Sequence, residues 1–299
     1  GDGQSLYWEA CGSPDGTPAV VFHGGPGSGC APGDRRLFDP AAYRVVLFDQ
    51  RGCGRSSPRV DAIADLSANT TGQLIADIER LRQHLGIERW VVRGTSWGVT
   101  LALAYAQRHP EQVIAMVLAS VTMTRPGEIH WLYHEVGRYF PEEWQRFRSG
   151  VPGPERDGDL VAAYYRLLHQ QPDIRRRERA ALDWCEWEDA VSPLPGGLRN
   201  RRYDDPVFRM TFARIVTHYF HHRAWLSEDQ LLHDAHRLAG IPGVLIHGRF
   251  DLGGPVDTAW QLAQVWADAE LRVVETGHSG GDDMTACIVE ATNRFATLR

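Results

Sequence analysis

Hydrophobic positions in this chain cluster into short runs separated by turn-forming residues. Residues 19–22, 45–48, 90–92, 113–118, 244–246 and 271–274 are apolar or nearly so. Short runs without polar alternation read as strands buried on both faces. Between them the apolar positions recur at helical spacing. One stretch begins at a cap on Thr70 or Thr71, carries Leu74, Ile75, Ile78, Leu81 and Leu85, and stops at Gly86. A second spans 99–109 and is stopped by Pro110. A third spans 256–266, after Gly253-Gly254-Pro255. Alternation of this kind predicts an α/β fold, with a mostly parallel sheet covered by helices on both faces.

Residues 122–235 break the pattern. They hold no convincing buried strand, several amphipathic helical windows, Pro- and Gly-rich punctuation, and more than half of the aromatic residues. Because strand–helix alternation resumes afterwards, the segment reads as a helical cap (122–235) inserted into one core made of residues 1–121 and 236–299. A separate helical domain would leave the alternation without its second half. The run Arg175-Arg176-Arg177-Glu178-Arg179 reads as a solvated helix face.

Composition narrows the function classes. The chain of 299 residues is 43% hydrophobic and 23% charged, which is ordinary for a globular protein. No apolar run reaches the roughly 18–20 residues of a membrane span, so no membrane partner is expected. The 32 basic and 38 acidic residues leave a net charge of −6, which argues against nucleic acid as a partner. All the basic residues are Arg, consistent with the codon bias of a GC-rich genome. Five scattered cysteines (Cys11, Cys30, Cys53, Cys185, Cys287) form no C-x-x-C pair, so neither a disulfide framework nor a zinc site is expected. With no basic and apolar leader at Gly1-Asp2-Gly3, a cytoplasmic location is expected. Because the chain begins at Gly1 rather than Met, native residues are expected upstream.

The sharpest chemical signal is Gly94-Thr95-Ser96-Trp97-Gly98, between the strand at 90–92 and the helix at 99–109. G-x-S-x-G in a strand–turn–helix setting forces a tight turn that lifts the serine hydroxyl clear of the sheet. The positive end of the following helix then favours negative charge developing there. Ser96 is therefore the candidate nucleophile. A serine needs a base, and the base needs an orienting carboxylate. In α/β-hydrolases these follow in the order Ser, acid, His. Asp251 lies just past the strand at 244–246, and His278 lies in the loop after 271–274. Each alone could be a helix cap or an ordinary loop histidine. Together, at strand ends and in the right order, they complete a triad. The glycine loop His23-Gly24-Gly25-Pro26-Gly27-Ser28-Gly29 follows the first buried run, and its Gly25 amide and the amide of Trp97, next to the nucleophile, are the expected oxyanion donors. The loop lacks the spacing of a nucleotide cradle. One base suffices, which leaves His23 a structural role.

The blocks HGGPGSG (23–29), FDQRGCGRSSP (48–58), GTSWGVTLALAYAQRHP (94–110), HGRFD (247–251) and GHS (277–279) resemble those of the proline iminopeptidase family, serine aminopeptidases with the α/β-hydrolase fold. The resemblance implies Ser96, Asp251 and His278 as triad, and Gly25 and Trp97 as oxyanion hole. It also implies an acidic group in the cap that holds the substrate's free ammonium. Glu188, within Trp184-Cys185-Glu186-Trp187-Glu188, falls on that position. A second family glutamate is replaced here by Val216, so Trp184, Trp187, Val216 and Tyr219 are expected to form a more apolar pocket wall. His218, His221 and His222 belong to that wall, and no metal or other cofactor is called for. Asn69-Thr70-Thr71 matches a glycosylation sequon but reads more simply as a capping turn.

The expected reaction is hydrolysis of an amide to release a small N-terminal aminoacyl group, alanine- or proline-like, from a peptide or small molecule bearing a free amine. Two leaving groups stay open, an ordinary peptide and a larger apolar amine. Val216 favours the second, as in removal of an aminoacyl protecting group in natural-product (antibiotic) biosynthesis. An esterase or thioesterase would use the same triad.

Overall fold

Every run read above as a strand is a strand in the computed structural model, which describes residues 3–62 and 65–298, but the run at 271–274, expected to be buried on both faces, forms a half-buried strand at the sheet's edge. Gly1 and Asp2, read above for a leader, lie outside the described residues, as does Arg299. The strands are β1 (Trp8–Gly12), β2 (Thr17–Phe22), β3 (Tyr43–Phe48), β4 (Trp90–Ser96), β5 (Val113–Val121), β6 (Gly243–Gly248) and β7 (Ala269–Val274). They form one sheet in the order β1-β3-β2-β4-β5-β6-β7. β1 runs antiparallel to β3, and every other pair is parallel. β1 is not among the expected strands. It is an edge strand whose residues alternate between exposed and half-buried, so Trp8-Glu9-Ala10-Cys11-Gly12 shows no apolar run.

The central strands are apolar throughout because both faces are covered. Val20, Phe22, Val46, Phe48 and Val92 point to one side, where they pack with α1 (Thr71–His84) and α2 (Trp97–Arg108). Ala19, Val21, Val45, Leu47 and Val91 point to the other. Thr70 caps α1, its hydroxyl accepting from the Gln73 amide at 3.3 Å. The neighbouring Asn69 is buried, its side chain bonded to Arg51 and Tyr219, which fits a capping turn and leaves no room for a glycan.

Between β5 and β6 the described residues contain helices and no strand of the sheet: α3 (Pro126–Tyr133), α4 (Pro141–Ser149), α5 (Leu160–His169), α6 (Ile174–Val191), α7 (Pro206–His221) and α8 (Gln230–His233). α3 to α7 have a core of their own, built on Tyr133, Phe147, Tyr164, Trp184 and Trp187, whereas Leu231 of α8 packs into the sheet's core. α7 is the bridge to the sheet domain. Its Ile215 presses on Gly27, and its Tyr219 packs edge-on against Trp97 with ring centres 4.8 Å apart. The chain then returns to the sheet with α9 (Val256–Val265) on the first face and α10 (Asp282–Phe295) on the second. All five cysteines are free. No helix among the described residues is long and apolar enough to cross a membrane.

Candidate active site

The turn at Ser96 is built by its neighbours. Ser96 itself sits at φ 55, ψ −126, a strained conformation for a residue with a side chain. The chain can hold that turn because Gly94 and Gly98 leave room for it. A Cβ on Gly94 would stand 2.8 Å from the Gly98 carbonyl carbon, and one on Gly98 would fall on the carbonyl oxygen of Phe22. Gly98→Ala is therefore expected to cost about 1–3 kcal/mol through forced backbone movement, seen as a lowered Tm. An unchanged Tm would mean that the contact between α2 and β2 is not tight.

Three loops at the carboxyl ends of β4, β6 and β7 bring the expected residues together. His278 Nε2 lies 3.0 Å from Ser96 Oγ. Its Nδ1 lies 2.8 and 3.0 Å from the two carboxylate oxygens of Asp251. Nδ1 therefore donates to Asp251, which leaves Nε2 to accept from the serine. Asp251 is buried. Burial alone would raise its pKa, but the His278 charge and hydrogen bond, with His247 and the Gly254 amide, hold it below the ordinary carboxylate range. Burial alone would lower the pKa of His278, but the Asp251 charge and hydrogen bond, with a further pull from Glu188, place it above the ordinary histidine value.

The glycine loop lies beside this line. Gly25 (φ +114) lines the cavity at Ser96, and a Cβ there would meet the amide nitrogens of Gly27 and Ser28. Trp97 opens α2, so its amide has no helical carbonyl four residues back to donate to. Both residues face one cavity with Ser96 and His278. Both therefore border the space in front of Ser96 where an oxyanion would develop.

Two cavities meet at Ser96, and Glu188 lines both, as does His278. The smaller, of about 60 Å³, is walled by Trp97, Ile129, Leu132 and Phe220. The larger, of about 320 Å³, is more polar and runs past Gly24, Ser28 and Asn200. Glu188 is placed by α6 and receives a hydrogen bond from the buried Tyr133 hydroxyl of α3. Burial lifts its pKa above the usual carboxylate range. The Tyr133 donor and the His278 charge restrain the rise, with a smaller contribution from the Trp184 indole.

Other expected residues stand elsewhere. Trp184, Trp187 and Val216 are buried in the aromatic core of the cap helices and line neither cavity. Tyr219 is buried behind Trp97, its hydroxyl donating to Asn69 Oδ1 at 2.8 Å. Trp184 and Val216 precede Glu188 and Phe220 by one helical turn on the same helix faces, so they sit a turn further into the helix core, and Trp187 is turned away from Glu188 into that core. On α7 it is Phe220 that reaches the cavity wall. His218, His221 and His222 do not converge on a point. They stack with Tyr165 and Trp225, and His218 Nε2 bonds the Asn69 carbonyl.

Sequence reasoning missed several supporting residues. Gln50 donates to the His23 carbonyl and accepts from the Trp97 indole at 2.9 Å, tying the glycine loop to α2. His23 is buried and accepts the Gln50 amide through Nε2. Asp49 takes the Cys30 amide and the Arg55 side chain. His247 accepts the Val121 amide and donates to the Gly254 carbonyl, bracing the Asp251 loop. The block DQRGCGR carried the signal for Gln50 and Asp49. Nothing in the sequence pointed to Tyr133.

Residues 17–283 match the α/β-hydrolase fold family. Over 302 aligned residues the chain is 50% identical to a probable proline iminopeptidase of Streptomyces coelicolor, an alignment covering 99% of this chain and 93% of that one. The chain belongs to the proline iminopeptidase family of α/β hydrolases. A proline iminopeptidase of Xylella fastidiosa is 46% identical, over 98% of this chain and 94% of its own. Among solved structures, the proline iminopeptidase of Mycobacterium smegmatis superposes with a TM-score of 0.61 at 20% identity, over 98% of this chain and 96% of that one. An α/β hydrolase from a deep-sea metagenome of the Medee basin gives 0.63 at 18%, over 98% and 94%. At such identities these two structures speak for the fold.

Proposed function

We propose that this family member is a serine aminopeptidase that releases a small N-terminal residue, proline- or alanine-like, from a peptide with a free amine. One observation carries the reading: Glu188, a carboxylate set deep in the cap, faces the same small cavity as Ser96 and His278. A substrate ammonium paired with Glu188 sets the first residue of the chain in that cavity, with its carbonyl at Ser96. A desolvated ammonium needs such a partner.

In the reaction, Ser96 Oγ attacks the carbonyl carbon as His278 Nε2 takes its proton. Asp251 holds the imidazole and stabilises its positive charge. The amides of Gly25 and Trp97 take the oxyanion. His278 then protonates the leaving amine, which departs through the larger cavity, and a water activated by His278 resolves the acyl-enzyme. Residues 122–235 act as the cap and 1–121 with 236–299 as the core. The reading with an apolar, non-peptide amine, as in removing an aminoacyl protecting group, rested on Val216. With Val216 inside the cap core, the peptide is the better-supported substrate.

Comparing prolyl- and alanyl-arylamides, free and N-acetylated, tests this reading. Rapid cleavage confined to the free amines is expected. Equal cleavage of blocked and free substrates would overturn it, and fast ester turnover beside negligible amide turnover would make the chain an esterase. The acid limb of kcat/KM carries a further prediction. His278 must be neutral to accept the serine proton, so activity falls as pH drops through its raised pKa, at a higher pH than for an ordinary histidine. Removing the Glu188 charge is expected to shift that limb to lower pH. A limb that stays in place would show that Glu188 does not act electrostatically on His278.

A further inference from the structure

The larger cavity reaches a group that the proposed reaction leaves unused. Its wall includes Arg93 and Thr95 of β4, Ala119 of β5, and Met284 and Ile288 of α10. Strand alternation puts Arg93 on the face that α10 covers, paired across the sheet with Val21 and Val117. The residue is 6% exposed. A guanidinium in an apolar layer costs several kcal/mol unless its donors are met, and here they are met only in part. Asp34 Oδ1 engages Nη1 at 3.2 Å. Nε has no hydrogen-bond partner among the described residues. Two residues along the same face of the strand, Thr95 Oγ1 is also buried and without one among them. Both residues line the same cavity as Ser96.

The unmet atoms have a common geometry. Asp34 occupies one terminal nitrogen and leaves the Nε–Nη2 edge of the guanidinium, which is the edge that grips a carboxylate through two parallel hydrogen bonds. A hydroxyl beside it can donate a third. We propose that Arg93, with Thr95, binds the free C-terminal carboxylate of the leaving peptide, so that the chain acts preferentially on dipeptides and tripeptides. The inference rests on the aminopeptidase reading and extends it to the far end of the substrate. Arg93 precedes Ser96 by three strand positions, about 10 Å at roughly 3.3 Å per residue. A leaving group of one or two residues, at about 3.3–3.6 Å each, spans the distance once the arginine side chain reaches toward it. Longer peptides would carry no charge at that depth.

The test compares kcat/KM for Pro-Ala with Pro-Ala-amide, and for Pro-Ala-Ala with its amide, in the wild type, Arg93→Met and Asp34→Asn. The readout is the acid-to-amide ratio within each protein, so a general loss from disturbed packing cancels. Wild type is expected to favour the better-fitting acid by about 10–100-fold, the value of charge-assisted hydrogen bonds in a dry site. Arg93→Met is expected to bring the ratio to within about twofold of one. Asp34→Asn, which removes a competing carboxylate, is expected to raise it. A wild-type ratio near one for both peptides overturns the proposal, as does a ratio that survives in Arg93→Met. Should Arg93→Met not fold, an unchanged ratio in Asp34→Asn overturns it and a raised one supports it. Ser96-dependent cleavage of a prolyl-arylamide in the same preparations separates the two readings. If that cleavage is absent, the aminopeptidase reading has failed. If it is present while the peptide ratio is near one, only the carboxylate site has.

Discussion

Replacing Ser96 with alanine is expected to lower kcat on a prolyl-arylamide by about 10⁴–10⁶-fold with KM little changed. The hydroxyl contributes to bond formation and hardly to ground-state binding, because the substrate is held by its ammonium and by the apolar walls. What remains comes from the oxyanion amides, which do not depend on the serine side chain. The expected result is testable by single-turnover kinetics and by covalent labelling with a fluorophosphonate, which should modify the wild type at Ser96 and leave the variant untouched. A variant retaining more than a few per cent of kcat would move the nucleophile elsewhere. Since the φ and ψ of Ser96 are set by Gly94 and Gly98, alanine should hold the same turn and the folded state should survive.

Glu188→Gln is expected to lower kcat/KM for substrates with a free amine by about 10²–10³-fold, the loss of roughly 3–4 kcal/mol when one partner of a desolvated charge pair is removed. Glutamine keeps an acceptor for the Tyr133 hydroxyl, so the change reports on charge rather than on the collapse of α3 against α6. Both KM and kcat should worsen, because the ammonium fixes where the carbonyl sits relative to Ser96 as well as how tightly the substrate is held. N-acetylated substrates, already unable to use the carboxylate, should lose little. The selectivity for free over blocked amines is therefore expected to shrink by the same factor. An equal loss on both substrate types would make Glu188 a structural support of the cap.

How much of this was legible in the chain differs from residue to residue. The meeting of Ser96, Asp251 and His278 was readable because each lies at the carboxyl end of a strand in the parallel part of the sheet, so the three loops emerge at the same edge. The spacing of Ser96, Asp251 and His278 in sequence is immaterial once the strands are in register. Gly94 and Gly98 were readable for a similar reason: a turn that admits no Cβ leaves its mark as glycine. β1 was not readable, since Trp8-Glu9-Ala10-Cys11-Gly12 carries no apolar run, whereas the other edge strand, β7, keeps Leu271, Val273 and Val274. α10 was not assigned either, its apolar positions Met284, Ile288, Ala291 and Phe295 being diluted by polar neighbours.

The cap shows where local pattern stops. Trp184, Trp187, Val216 and Tyr219 have the composition of a pocket wall, and they fill a core instead. A helix buried on most of its circumference is apolar nearly all round, and composition cannot tell the side that meets a cavity from the side that meets another helix. Glu188 was found through resemblance to a family motif, yet its partner Tyr133 comes from a helix 55 positions away and left no trace in sequence.

By itself, the sequence determined the layered sheet, the elbow at Ser96, the order of acid and base, and the glycine loop. Each of these is a local backbone requirement or a periodicity that neighbouring residues must satisfy. Only the tertiary structure decided which cap residues face the substrate space, how Gln50 ties the glycine loop to Trp97, and that Arg93 and Thr95 stand with unmet donors in the larger cavity. Those facts depend on how far along each helix its neighbours pack and on contacts between distant segments. They arise when separate elements pack, and no stretch of chain encodes them alone.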